Sequence, residues 1–334
     1  MIVAIKSAVL HILDSNNRLP MLSEHEMDVS DGMINTYLTG HIEKVYDDAS
    51  HRNAEFRSNS GLKFHINQYS SGNEDFVTLS RNIGERVFEG LINTQDGGVC
   101  DIAVCDLIIN ERSVIGILKL NDKVGFTHQV LKDDTGITNT IINHYSILPT
   151  QTQKVTEYAF IDTEDLTIRY KGAKYPIDGE KVDLFAEILL ECDYEISSRE
   201  AVNTVTKTAK KITAENGGDT METVAKIKEC VIENIEQKIP FKTADIADHI
   251  FDGRPVMRDE FKSKMEQSAV PDEIEVNKYV TKKMTSNIKL VTDTGIELSF
   301  PAEYYTNSKY VDIINNEDGT ISISINNIGE LINK

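Results

Sequence analysis

Two consecutive apolar runs most constrain the fold of the first half of the chain. They read VCDIAVCDLII and SVIGILKL, and only Asn110-Glu111-Arg112 separates them. Strand-like runs joined by a short polar turn predict a β-hairpin. A further hairpin is predicted from Val155 to Ile161 and from Leu166 to Tyr170, around the polar segment 162–165. The first half therefore contains paired strands.

Helical patterns alternate with these strands. Ser23 and Glu26 form a capping-box pattern, which predicts that a helix begins there and restarts after Ser30. A second helix is predicted by apolar residues at helical spacing, namely Phe76, Leu79, Ile83, Val87 and Leu91. The first half is thus predicted to be mixed α and β.

The middle of the chain predicts two helices that form an αα-hairpin. Ser197 or Ser198 caps the first, Asn216-Gly217-Gly218 ends it, and Asp219 with Glu222 begins the second. An apolar seam at a and d spacing runs along both: Val202, Val205, Ala209 and Ile212, then Val224, Ile227, Val231 and Ile235. The seam has two interpretations, which stay open: a helical layer packed on its own domain, or a homodimer surface.

The C-terminal part combines short helices with two more hairpins. Thr243 is expected to begin a helix that runs through Ile250, and Asp259 another. The hairpin patterns span 288–300 and 311–325, each around a turn that contains glycine. We therefore expect an α+β protein with a mixed α+β domain at 1–178, a helical hairpin region at 179–240, and a C-terminal α+β domain at 241–334.

Charge and cysteine usage limit the possible functions. The chain has 54 acidic and 35 basic residues, and the acidic residues are spread along it rather than held in a tail. Binding to nucleic acid by bulk charge is therefore not expected. The four cysteines form no C-x-x-C pair, which favours structural thiols in a reducing cytoplasm. No window approaches about 18 uncharged apolar residues, so no membrane span is predicted.

Motifs for catalysis or cofactor binding are not found. The eight histidines are dispersed, and His25-Glu26 lacks the second histidine that a helical zinc site needs. The sequence has no phosphate-binding loop, no dinucleotide fingerprint and no nucleophile elbow. The carboxylates fall on predicted surfaces and turns, where solvated charge is expected. The chain is accordingly predicted to be non-enzymatic, without a metal or cofactor.

Two groups of lysines are the candidate DNA-binding residues. The segment from Val276 to Thr292 contains no Asp or Glu, yet it contains Lys278, Lys282, Lys283 and Lys289. A basic segment in an acidic protein could bind a polyanion locally. The second group, Lys207, Lys210 and Lys211, shares one helix face because of its i, i+3, i+4 spacing. Ordinary solvated lysines are the alternative interpretation of both groups.

Three segments together resemble bacterial nucleoid-associated proteins of the NdpA/YejK type. They are LHILDSNNRLPMLSEHEMD near the start, GILKLNDKVGFTHQV, and TSNIKLVTDTGIELSFPAEYYTNSKYVDIINNEDGTISISI at the end. The similarity covers nearly the whole chain in the same order. The resemblance implies association with the bacterial nucleoid, binding of double-stranded DNA, and topoisomerase as a protein partner.

The leading hypothesis is a cytoplasmic, nucleoid-associated, homodimeric protein whose lysines contact DNA phosphates without reading sequence. No base-reading module is recognisable in the chain. The alternative is a protein–protein adaptor that reaches the nucleoid by docking on a DNA enzyme such as a topoisomerase through its acidic surface. A phage or mobile-element anti-host factor would be a version of that alternative.

Overall fold

The structure is a computed structural model that describes residues 1–94, 98–134, 136–237, 239–268, 270–274, 288–301, 304, 309–316 and 320–330. It divides the chain into two compact units, Met1–Glu195 and Ile196–Lys334. The predicted three-part division, with boundaries after 178 and 240, stays a prediction. The prediction of an α+β fold is confirmed, because antiparallel sheets are combined with separate helices in both units.

The first unit is built on one eight-stranded antiparallel sheet. The strands of the unit are β1 Val3–Asp14, β2 Leu19–Met21, β3 Arg52–Phe56, β4 Val99–Ile109, β5 Arg112–Asn121, β6 Lys123–Asp133, β7 Gly136–Ile147, β8 Glu157–Asp162, β9 Ile168–Lys171, β10 Lys174–Ile177, β11 Glu180–Asp183 and β12 Cys192–Tyr194. The spatial order of the strands in the sheet is β12-β3-β9-β8-β5-β4-β1-β2. Strands β6 with β7 and β10 with β11 form separate two-stranded ribbons.

The predicted hairpin around residues 110–112 is confirmed as β4 and β5. The two strands pair from Cys100 opposite Asn121 to Ile109 opposite Arg112. Asn110 and Glu111 connect them, with φ of 49° and 71°. Positive φ at both central residues is the geometry of a type I′ turn, whose twist matches that of paired strands. The second predicted hairpin is confirmed as β8 and β9.

Helices cover both faces of the sheet. They are α1 Gly32–Val45, α2 Gly61–Ser70, α3 Phe76–Ile92 and the π-helix Leu184–Leu190. On one face, Leu38 and Ile42 of α1 pack with Leu118 in a core of their own. On the other face, α2, α3 and the π-helix share a core with residues such as Val104 and Ile117. Helix α3 matches the helix predicted from Phe76 to Leu91.

The helix predicted to begin at Ser23 is wrong. The segment 22–30 contains no helix, and α1 begins at Gly32, where the Asp31 carboxylate accepts a hydrogen bond from the Met33 amide. Ser23 instead donates its hydroxyl proton to the Leu10 carbonyl, 2.5 Å away. Since the hydroxyl bonds a neighbouring strand, it is not used to cap a helix. The predicted restart after Ser30 corresponds to α1.

The second unit combines four helices with short hairpins in its described part. The elements are α4 Ser198–Glu215, α5 Thr220–Gln237, β13 Phe241–Lys242, α6 Thr243–Ile250, α7 Pro255–Glu266, β14 Glu273–Ile274, β15 Ile288–Val291, β16 Glu297–Phe300, β17 Val311–Asn315 and β18 Ile321–Ile325. Both C-terminal hairpins are confirmed. Helix α7 begins four residues before the predicted Asp259, because Pro255 occupies its first turn.

The α4 side of the apolar seam is buried inside the second unit, whereas Val224 and Ile235 of the α5 side are only half-buried. Val202, Val205, Ala209 and Ile212 are each at most 1% exposed. Helix α4 packs against α5 and α7. These observations support the first of the two interpretations, a helical layer within its own domain.

In the described part of the chain, no helix is both long and apolar enough to cross a membrane.

Candidate nucleic-acid interface

Local sequence signals define the start of α4 and its orientation. Ser197 and Glu200 form the capping box: the Ser197 hydroxyl accepts from the Glu200 amide at 3.2 Å, and the Ser197 amide donates to the Glu200 carboxylate at 3.0 Å. Two unpaired amides of the first turn are thereby satisfied. The predicted cap at Ser197 is confirmed. The buried seam then fixes which side of α4 faces solvent.

The exposed side of α4 carries three lysines. Lys207, Lys210 and Lys211 are all exposed, and they follow the same helix. Val205 and Ala209, both buried, lie two residues on either side of Lys207, and therefore about 200° around the helix from it. The three ammonium groups share an arc of about 100° on the solvent side. We call these residues the α4 lysine stripe.

The charge around the stripe differs from that of the chain as a whole. Helix α4 has four basic residues, Arg199 and the stripe, against Glu200 and Glu215, which gives a net charge of +2. Residues 201–214 contain no Asp or Glu. The neighbouring α5 has two lysines and four glutamates, a net charge of −2. The exposed face of α4 is thus a local basic surface in a chain whose net charge is −19.

The stripe is only weakly neutralised by its surroundings. Lys211 Nζ lies 3.8 Å from Glu215 Oε1, and both side chains are more than half exposed, so this pair contributes little. Glu215 is also shared with Lys264 of α7, at 3.9 Å. Lys207 and Lys210 form no ion pair within the described residues. Their charges are therefore free to attract a polyanion.

The other predicted lysines are placed differently. Lys289 lies on β15, opposite Ser299 of β16, and its side chain is exposed. Its neighbour Leu290 packs into the core that contains Phe300 and Val311. Lys278, Lys282 and Lys283 lie outside the described residues. The structure thus brings together the three lysines of the stripe, and places Lys289 on a separate hairpin.

The first unit buries ionisable groups that the sequence did not indicate. Lys119 and Glu157 form an ion pair in which each side chain is only 3% exposed. Asp101, Asp106, Asp162 and Asp183 are also buried, so the expectation that carboxylates are generally solvated is wrong for these residues. Asp101 and Asp106 lie within the apolar strand β4 and Asp162 ends the apolar strand β8, and this position is the signal that could have revealed them. Asp183 ends the polar strand β11 and carries no such signal.

These groups do not assemble into a recognisable metal centre. Among the described residues, no cluster of three or more His, Cys, Asp or Glu has the geometry to hold a metal ion. The buried thiols of Cys100, Cys105 and Cys192 are unpaired, and burial raises the pKa of each to about 12. Thiols with raised pKa are poor nucleophiles at neutral pH.

Comparison with known proteins bears on the identity of the chain. A search of curated proteins gives no match. The sequence model of the family described as nucleoid-associated protein YejK matches residues 9–332, which is nearly the whole chain and includes both units. The resemblance inferred from three sequence segments is therefore confirmed. The chain belongs to the nucleoid-associated protein YejK family.

Proposed function

We propose that this chain is a non-enzymatic nucleoid-associated protein that binds double-stranded DNA through phosphate contacts. The observation that carries the proposal is the α4 lysine stripe, an exposed, acid-free set of charges held in fixed spacing by a buried helix face. Lys289, together with Lys278, Lys282 and Lys283 outside the described residues, supplies further candidate contacts. No base-reading element is needed, because phosphate contacts carry no sequence information.

The negative charge of the rest of the molecule makes such binding local. A duplex that approaches the α4 lysine stripe gains attraction from three ammonium groups, and it is repelled elsewhere by a chain of net charge −19. Binding of this kind should be weak, independent of sequence and strongly dependent on salt. It would leave the acidic surfaces free for other partners.

A salt series tests the proposal. Replacing Lys207, Lys210 and Lys211 by Gln removes three charges and retains helix propensity. If all three contact phosphates, the slope of log affinity against log salt in a gel shift should decrease by about 2.7, at roughly 0.9 per contact. The matched control replaces Lys44, Lys174 and Lys181, which are exposed lysines of the first unit. An equal decrease in both variants would contradict the proposal.

The proposal includes partners and a location. We infer that the protein acts as a homodimer in the cytoplasm, at the nucleoid, and that topoisomerase is a protein partner. Membership of the nucleoid-associated family supports the location. Since the α4 side of the helical seam is at most 1% exposed, that side is not free to form the dimer surface. An acidic surface suits a partner that itself carries the basic charge needed to bind DNA.

The second candidate function is a protein–protein adaptor, including a phage or mobile-element anti-host factor. The observation that favours it is the net charge of −19, which opposes direct contact with DNA over most of the surface. An adaptor would show no gel shift alone at any salt concentration, and it would bind DNA only together with the DNA enzyme. Gel shifts with and without topoisomerase therefore separate the two candidates.

A further inference from the structure

The exposed side of α4 carries an asparagine in line with two of the lysines of the stripe. Asn203, Lys207, Lys210 and Ala214 follow one another at i, i+4, i+7 and i+11, so they form a single line along the helix. All four residues are exposed. At about 100° per residue, this line lies on the side of α4 opposite the buried seam. We call it the α4 outer line.

The side-chain amide of Asn203 is available to a ligand. It forms no hydrogen bond with any other described residue. The hydroxyls of its neighbours Thr204 and Thr206 are occupied, because they donate to the carbonyls of Glu200 and Val202 at 2.9 Å and 2.7 Å. Asn203 therefore offers its amide hydrogens and its carbonyl oxygen at the surface of a helix that is otherwise lined by lysines.

The dimensions of α4 suit the major groove of a DNA duplex. The helix has 18 residues. It is therefore about 27 Å long, at roughly 1.5 Å per residue, and about 10–12 Å wide with its side chains. The major groove of B-DNA is about 12 Å wide and the minor groove about 6 Å, so a helix of this width fits only the major groove. Ala214, at one end of the α4 outer line, has no long side chain that would hold the helix away from the bases.

The charges of α4 suit the phosphates that border this groove. Lys211 lies about 80° around the helix from Asn203, to one side of the α4 outer line. Residues 201–214 contain no Asp or Glu that would repel a phosphate. Glu215 lies beyond the end of the α4 outer line, next to Lys211. The lysines can therefore contact phosphates while Asn203 faces the base edges.

We propose that α4 binds in the major groove and that Asn203 contacts the edge of an adenine. Adenine alone presents an acceptor, N7, beside a donor, the N6 amino group, and an asparagine amide matches both. The inference rests on the proposed function, because it takes duplex DNA as the ligand of the α4 lysine stripe. It goes further, since phosphate contacts carry no sequence information, whereas Asn203 adds a preference for one base pair.

Selection of duplexes from a random pool, followed by gel shifts at constant salt, tests this inference. The wild-type chain should enrich duplexes that share an adenine at one position. Replacing that adenine by 7-deazaadenine removes the N7 acceptor and should weaken binding about fivefold or more. Asn203→Ala should bind the two duplexes equally and keep the wild-type salt slope, because its lysines are unchanged. Alanine has the higher helix propensity, so the variant should retain α4.

Asn67→Ala is the matched control, since Asn67 is an exposed asparagine of helix α2 in the first unit. It should leave both the preference and the response to 7-deazaadenine unchanged. A wild-type chain that enriches no sequence, or a preference that persists in Asn203→Ala, would overturn the base contact alone. The proposed function is read separately, because it fails if replacing the three stripe lysines leaves the salt slope unchanged. A chain that binds no duplex would overturn both.

Discussion

Lys119 and Glu157 face each other across β5 and β8, and the Lys119 ammonium lies 2.6 Å from a Glu157 carboxylate oxygen. Tyr175 completes the group, with its hydroxyl 2.7 Å from both charged partners. Burial opposes the charge of Lys119, but the Glu157 carboxylate attracts it, and the net effect is a raised pKa of Lys119. An ion pair therefore lies within the sheet, at the end of its apolar core.

Breaking this pair should be costly. Glu157→Gln or Lys119→Met leaves one buried charge without its partner, and we expect a loss of about 3–5 kcal/mol in the free energy of unfolding by urea. The double variant K119M/E157L removes both charges, so its free energy of unfolding should decrease by less than that of either single variant. Lys226→Met removes the partly exposed pair with Glu222 and should cost under about 1 kcal/mol. Equal losses from the buried and exposed pairs would contradict this prediction.

Asp101 predicts a pH dependence of stability. Burial, together with nearby Asp122, raises the pKa of Asp101 from 3.8 to about 7. One carboxylate oxygen of Asp101 has no hydrogen-bond partner among the described residues, which also favours the neutral form. Between about pH 4 and pH 7, the folded chain therefore holds a proton that the unfolded chain has lost. Stability from this group is present at low pH and is lost as the pH rises.

Asp101→Asn should remove that dependence. The free energy of unfolding of the variant, relative to wild type, should increase from about pH 4 to about pH 8, by at most about 4 kcal/mol. Urea unfolding at several pH values measures the difference. If the difference in free energy of unfolding between Asp101→Asn and wild type stays constant with pH, the pKa of Asp101 is the same in the folded and unfolded chains and the prediction is wrong.

The β4–β5 turn can be improved by one substitution. Glu111 has φ of 71°. This left-handed conformation costs most L-residues roughly 1 kcal/mol or more, whereas Gly, which has no side chain, adopts it freely. Glu111→Gly creates the Asn-Gly pair that type I′ turns favour, and it should raise the free energy of unfolding by about 1 kcal/mol. Glu111→Val retains a side chain and adds β-branching, so it should lower that free energy. Urea unfolding of both variants is the measurement. A change in the free energy of unfolding that has the same sign for both variants would contradict the prediction.

Elements with strong local signals could be predicted from the sequence. Helix α4 combines a capping box at Ser197 with a regular apolar seam, and the β4–β5 hairpin combines two long apolar runs with one short turn. In both cases the residues that decide the structure lie close together in sequence. The false helix at Ser23 shows the limit of such signals, because the Leu10 carbonyl that binds its hydroxyl comes from another element.

Features that depend on distant pairing were missed. Lys119 and Glu157 are 38 residues apart, and each alone has the sequence character of a surface charge. The β6–β7 ribbon was missed because its strands are rich in Thr, Asn and His, and its apolar residues line one face only once the register is known. The lysines of α4 were found because helical spacing alone brings them together, whereas their role depends on a partner that the sequence does not contain.

The C-terminal lysines give the last prediction. Replacing Lys278, Lys282, Lys283 and Lys289 together by Ser should weaken DNA binding equally for all sequences and leave the fold intact. If all four contact phosphates, the slope of log affinity against log salt should decrease by about 3 to 4, at roughly 0.9 per contact. The competing explanation is that these lysines are only solvated charges, and the slope would then stay unchanged. The structure gives a reason to expect an intact fold at Lys289, because its side chain is exposed and the adjacent Leu290 is the residue that packs into a core. Gel shifts of this variant and of the α4 variant, on two unrelated duplexes, measure the two lysine groups independently. An unchanged slope with unchanged affinity in the C-terminal variant would leave the α4 lysine stripe as the binding surface.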